Sequence, residues 1–234
     1  MTRFRRARAV IPAILALVLV GCASLTGSGV SRGAPGGAAS APAPAPSPTG
    51  ARPVVAFLGD SLTFGLLVPT SEAWPVTLST EEDWNGLNFS CSGAGFVAPG
   101  ACGTYDDMID AAVAVDPVLV IVPASSNDLR ADQATLKARM SGTMQRLRAA
   151  LPHATIVGLS AIWNDRAAPA RLTEISNDLE AAVASIGGEY LDIGEPVSGH
   201  PEWVQLDTVH YTRDGYDAVA RAVGAALTDA GIRP

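Results

Sequence analysis

Val54-Val55-Ala56-Phe57-Leu58-Gly59-Asp60-Ser61-Leu62-Thr63-Phe64-Gly65 is the stretch on which the reading of this chain turns. An apolar run rich in Val and Phe stops at a glycine and hands over to an acid and a hydroxyl. Such a run reads as a buried parallel strand whose carboxyl end carries a turn. In open α/β sheets the ligand crevice lies outside those carboxyl ends, so Ser61 stands where chemistry is expected. The plainer reading is that Asp60 or Ser61 only caps the helix that follows.

Outward from this stretch, strands and helices alternate. Glu72 to Asp83 reads as a helix, Gly86 to Phe89 as a second strand, and Tyr105 to Val115 as a helix that stops before Pro117. Val118 to Val122 reads as a buried central strand. Ala131 to Leu151 follows as an amphipathic helix with Leu136, Met140, Met144 and Leu147 on one face. Ala154 to Leu159, Pro169 to Ile186, Glu189 to Ile193 and Asp214 to Ala230 continue the alternation as strand, helix, strand and helix. The pattern implies an α/β fold: a flavodoxin-like three-layer sandwich with a five-stranded parallel sheet in the order 2-1-3-4-5 and right-handed crossovers. That order puts the first three strands side by side. The loops holding Ser61, Gly93 and Asn127 then converge at one end of the sheet.

Four blocks occur in order along the chain: Gly59-Asp60-Ser61-Leu62, Ser90-Cys91-Ser92-Gly93, Ser126-Asn127-Asp128 and Asp207-Thr208-Val209-His210. Together they resemble the SGNH (GDSL-type) hydrolase family. Glu72-Ala73-Trp74-Pro75 is similar to the start of a helix that many members carry after the first block. The resemblance runs from Val54 to Leu227. It implies Ser61 as nucleophile, Asp207 and His210 as its partners, and Ser61, Gly93 and Asn127 as oxyanion-hole donors. One position departs from the pattern: the family has glycine two residues before the asparagine, where this chain has Ser125. If that position needs positive φ, Ser125 is strained and Asn127 is displaced.

The residues support the same chemistry on their own terms. A serine hydroxyl is a poor nucleophile until a neighbouring base takes its proton. Of the three histidines, His153 lies in a connection at the far end of the sheet. His200 lies in a loop at the near end, where it could touch substrate, and only His210 has an acid three residues before it. On a helical turn that spacing lets Asp207 accept a hydrogen bond from one ring nitrogen and leaves the other for Ser61. The plainer reading is a cap on the last helix. For Gly93 the plainer reading is a tight turn, and for Asn127 a turn-forming Asn-Asp pair. The Gly-x-Ser-x-Gly elbow of α/β-hydrolases is missing, since its fifth position is Thr63. No metal-ligand spacing and no phosphate-binding glycine loop occurs, so no cofactor is implied.

The chain has 234 residues, and its first fifty read as something other than the folded domain. Arg3, Arg5, Arg6 and Arg8 precede an apolar run from Ala9 to Gly21, too short to span a bilayer and typical of a signal peptide over 1–22. Leu19-Val20-Gly21-Cys22 resembles the lipobox of bacterial lipoproteins, which implies lipidation of Cys22 and anchoring at the outer face of the membrane. The alternative is ordinary secretion. Residues 23–52, built mainly of Gly, Ala, Ser, Thr and Pro with no aromatic residue, read as a disordered tether with a reach of about 30 Å as coil to about 90 Å extended. Residues 53–234 form the hydrolase domain, expected to be a monomer.

All 23 acidic residues fall after position 52, against ten basic ones, a formal charge of −13 for the domain. That balance excludes nucleic acid as a partner, because phosphate backbones are held by clustered Lys and Arg. It leaves neutral small-molecule or glycan esters, with the membrane reached only through the lipid anchor. With Cys22 assigned to lipid, Cys91 and Cys102 remain in an oxidising compartment and are expected to form a disulfide. The expected activity is hydrolysis of small acyl esters, such as O-acetyl groups on envelope glycans or short-chain lipid esters. Transfer of the acyl group to a sugar hydroxyl is the enzymatic alternative, and a non-catalytic envelope-binding module is the alternative of a different class. Substrate choice is expected to lie in the loops Ala94 to Thr104 and Ile162 to Pro169.

Overall fold

Five short strands pair edge to edge as a parallel sheet in the order β2-β1-β3-β4-β5. The structure is a computed structural model that describes residues 50–234. The segment read as a signal peptide, Cys22 and all but the last three residues of the stretch read as a tether therefore lie outside the described residues. The strands are β1 (Val54–Phe57), β2 (Asn85–Asn88), β3 (Leu119–Pro123), β4 (Thr155–Leu159) and β5 (Glu189–Leu191). Between them run α1 (Ser61–Phe64), α2 (Trp74–Glu81), α3 (Tyr105–Val113), α4 (Gln133–Ala150) and α5 (Ala170–Ala184), and α6 (Arg213–Asp229) closes the chain.

Alternation along each strand decides the layers, because successive side chains point to opposite faces of a sheet. Ala56, Val120, Val122 and Ile156 join one cluster with residues of α3, α4 and α5, among them Met140, Met144, Ile175 and Leu179. Val55, Phe57, Leu119, Ile121, Val157 and Leu159 join the other with Trp74, Leu78, Tyr216, Val219 and Val223 from α2 and α6. The inner strands β1, β3 and β4 are buried on both faces, which is why they read as apolar runs, whereas the edge strands β2 and β5 are only half-buried. The expected three-layer α/β sandwich and its strand order are what the structure has.

Register then sets the site. Ala56 lies opposite Leu87 of β2 and Val120 of β3, so β1 and β2 end level with one another and β3 continues past them to Pro123. Gly59, Cys91 and Ser125 each follow one of these ends. The Cys91 N–H donates to the Gly59 carbonyl at 3.0 Å, carrying the pairing one step past the strands. Among the described residues no helix is long and apolar enough to cross a membrane.

Candidate active site

Asp60 makes the first turn. Its backbone is extended (φ −101°), and its Oδ1 accepts from the Leu62 N–H at 2.9 Å, so it caps the four-residue helix α1 that opens with Ser61. The capping reading thus holds for Asp60 and leaves Ser61 free. The Ser61 Oγ lies 2.8 Å from His210 Nε2, and His210 Nδ1 lies 2.6 Å from Asp207 Oδ2. The structure therefore brings Ser61, His210 and Asp207 into one hydrogen-bonded row, although 149 positions separate the serine from the histidine.

The Asp207–His210 segment is not the helical turn expected from its spacing. It is an irregular turn with Thr208 at φ +62°, and α6 begins only at Arg213 with Thr212 as its N-cap. What holds it is Asp207 Oδ1, which accepts from the N–H groups of Val209 and His210, both at 3.0 Å. Asn164 supports the same turn by donating from Nδ2 to the Thr208 carbonyl at 3.2 Å. With one oxygen on the backbone and the other on the imidazole, Asp207 is a well-satisfied carboxylate. The hydrogen bond to His210 draws its pKa down to about 2, so it is charged throughout the neutral range and fixes the ring with Nε2 toward Ser61.

His200, the other histidine at this end, is engaged elsewhere. Its ring stacks on Trp203 at 3.7 Å, and its Nδ1 lies 2.9 Å from Glu202 Oε1. Among the described residues it makes no hydrogen bond to Ser61, Asp207 or His210. His153 sits in the turn that enters β4, at the opposite end of the sheet.

Two backbone donors are available beside the hydroxyl. The N–H groups of Ser61 and Gly93 meet no acceptor among the described residues. Gly93 has φ +78°, a conformation that costs a side-chain-bearing residue and not glycine. The Asn127 side chain is exposed and uses one amide N–H on the Ala94 carbonyl at 2.9 Å, which leaves its second N–H for a ligand. Preorganised donors of this kind are what a developing oxyanion requires.

Ser125 is not strained. Its φ of −114° and ψ of 133° are ordinary extended values, so the position does not demand glycine, and the strain that would have displaced Asn127 is absent. The only feature that favoured an inactive binding module is removed with it.

One residue of the site escaped the sequence reading. Asp128, fully buried, accepts from the N–H groups of Phe96 at 2.7 Å, Val97 at 3.0 Å and Ala98 at 2.9 Å, and so gathers the loop that carries Gly93. A Cβ on Gly95 would come within 2.5 Å of that carboxylate, which is why a glycine stands there. The available signal was the Asn-Asp pair itself, which local rules explain as a turn.

Cys91 and Cys102 are joined, with Cα atoms 6.0 Å apart, and close this loop from outside. A loop of 12 residues closed in the unfolded chain is worth about 3 kcal/mol in the chain-entropy picture. Reduction is therefore expected to lower the thermal midpoint by several degrees and to lower kcat, because Gly93 lies inside the loop. Differential scanning calorimetry and ester kinetics on reduced, alkylated protein check this. An unchanged kcat would confine the bridge to stability.

A model of the GDSL-like lipase/acylhydrolase family matches residues 57–218. No curated protein matches in sequence. Among solved structures, a psychrotrophic esterase from Pseudoalteromonas sp. is similar at TM-score 0.63 and 16% identity, covering 75% of this chain and 97% of its own. A family two carbohydrate esterase from Cellvibrio japonicus is similar at TM-score 0.60 and 20% identity, covering 79% of this chain and 63% of its own. A carbohydrate acetylesterase from Sinorhizobium meliloti is similar at TM-score 0.59 and 14% identity, covering 76% of this chain and 100% of its own. At these identities the structures speak for the fold, whereas the family model takes in the segments from Ser61 to His210. The protein belongs to the GDSL-like lipase/acylhydrolase family of hydrolases.

Proposed function

We propose that this chain is an exported serine esterase that removes small acyl groups, acetyl foremost, from envelope glycans or short-chain lipids through an acyl-enzyme. The observation that carries this reading is the 2.8 Å contact between Ser61 Oγ and His210 Nε2, backed by the Asp207 carboxylate on the other ring nitrogen.

In this reading Ser61 attacks the ester carbonyl while His210 takes its proton. The N–H groups of Ser61 and Gly93 and the free amide N–H of Asn127 hold the oxyanion. His210 then gives its proton to the leaving alcohol. Water enters, loses a proton to His210, and releases the acid. Asp207 stays charged and stabilises the imidazolium in both halves.

Several features support the substrate class. The domain carries no surplus of basic residues, which suits a neutral ester. Phe64, Leu67, Leu206 and Val209 are exposed, and they lie in the two segments that carry Ser61 and His210, where an acyl or aryl group would be met. Two of the similar folds are named carbohydrate esterases. Export rests on the leader-like first 22 residues and Cys22, and the Cys91–Cys102 bridge is in keeping with an oxidising compartment.

The test joins a fluorophosphonate probe to a substrate panel. One equivalent of probe is expected on Ser61, with fastest turnover on acetyl among p-nitrophenyl esters of increasing chain length and acetate released from acetylated glycans. Folded protein that takes no probe would overturn the esterase reading. Product in which the acyl group has moved to a sugar hydroxyl would reassign it as a transferase.

A further inference from the structure

Ser125 stands where the family pattern has glycine, and its hydroxyl touches all three loops that carry the oxyanion donors. Its side chain is fully buried, at the exit of β3. The Oγ donates to Asp60 Oδ2 at 2.7 Å, lies 3.0 Å from the Ala94 carbonyl, and accepts from the Asn127 N–H at 3.1 Å. Asp60 immediately precedes Ser61, Ala94 immediately follows Gly93, and Asn127 is the third donor itself. The Ala94 carbonyl also receives the Asn127 amide at 2.9 Å.

Each of these contacts fixes a peptide or an amide that aims a donor. The carboxylate of Asp60 caps α1 and so orients the peptide that carries the Ser61 N–H. The Ala94 carbonyl orients the Asn127 side chain, and the Ser125 oxygen holds the Asn127 backbone. We propose that the Ser125 hydroxyl is a positioning residue for the oxyanion hole, holding the Ser61, Gly93 and Asn127 donors in one geometry through Asp60, Ala94 and the Asn127 backbone. The proposal rests on the esterase reading above, and it adds a residue that the family pattern does not supply.

Burial pushes the Asp60 carboxyl upward, and the Ser125 hydroxyl and the Leu62 N–H work against that. Removing the hydroxyl therefore leaves a buried acceptor and the Asn127 N–H short of a partner at once, and the loops that meet there are free to shift. A shift of the donors is felt in the transition state, where the oxyanion forms, and much less in the bound ester. The signature is a fall in kcat with little change in KM.

Ser125→Ala and Ser125→Gly are to be compared with the wild type and with Asn127→Ala on p-nitrophenyl acetate, well below each protein's melting temperature. Asn127→Ala removes a whole donor and is expected to lower kcat by about 10²–10³. Both Ser125 variants, which only misplace donors, are expected to lower kcat by about 10- to 100-fold with KM within about twofold. Affinity for a boronic acid, which forms a tetrahedral anion on Ser61, is expected to fall in step with kcat, and affinity for the product carboxylate to stay level. A folded Ser125→Ala or Ser125→Gly with kcat within about twofold of wild type, or with KM rising as much as kcat falls, would overturn the proposal. The parent reading is tested apart from it. Activity surviving in Ser61→Ala sinks that reading, whereas an inactive Ser61→Ala beside a fully active Ser125→Ala sinks only the positioning role.

Discussion

Ser61→Ala is expected to lower kcat/KM on a short aryl ester by about 10⁴-fold or more, to the level that binding and the oxyanion donors sustain alone. The substitution deletes one atom from a side chain whose only hydrogen bond among the described residues is to His210. The cap on α1 belongs to Asp60, and the helix bonds from Phe64 and Gly65 are backbone to backbone. The thermal midpoint should therefore move by no more than a degree or two, and circular dichroism should be unchanged. Calorimetry beside stopped-flow kinetics checks both halves of this expectation. A cleanly folded Ser61→Ala that still hydrolyses the ester would show that another group attacks the carbonyl.

His210→Gln is expected to cost about 10³- to 10⁴-fold in kcat, because glutamine fills the space without accepting a proton. Ester kinetics on the folded variant check this, and a rate within about tenfold of the wild type would argue against an imidazole base. The neighbouring carboxyls set pH windows of stability. Asp207 has its pKa drawn down to about 2 from 3.8 by the hydrogen bond to His210, so what it adds to stability is complete above about pH 4 and is lost as the pH falls toward 2. Asp60 runs the opposite way. Burial raises its pKa, so its contribution is present below 3.8 and is lost as the pH rises through the folded value. Thermal midpoints measured from acid to neutral pH check both signs.

Much of this molecule follows from short-range pattern. The apolar runs that end before Gly59 and at Val122 are legible because a strand buried on both faces needs an unbroken apolar sequence and because a glycine or a polar turn must end it. Helix limits fell within a few residues of their places for the same local reasons. The Tyr105–Val113 helix, for instance, is opened by a capping box between Thr104 and Asp107 and stops short of Pro117. Once those elements are in order, the right-handed crossover rule fixes which loops meet, so the meeting of the Ser61, Gly93 and Asn127 loops was already implied by topology.

What only the tertiary structure decided is how those loops are held. Ser125 looked like a strained departure, because a one-dimensional pattern says which residue is usual and not which φ it adopts. Folding places it in extended backbone beside Asp60, 65 positions away, where its hydroxyl becomes a partner instead of an obstacle. Asp128 reads locally as half of a turn, and becomes the anchor of the Gly93 loop only when Phe96, Val97 and Ala98 are brought to its carboxylate. The Asp207–His210 turn has the spacing of a helix and the conformation of none, since Asp207 spends one oxygen on two backbone N–H groups. Apolar periodicity is a property of neighbours along the chain, and so the sequence shows it. Buried hydrogen bonds join residues whose neighbourhood exists only after the sheet has formed, and so the geometry of the site belongs to the fold.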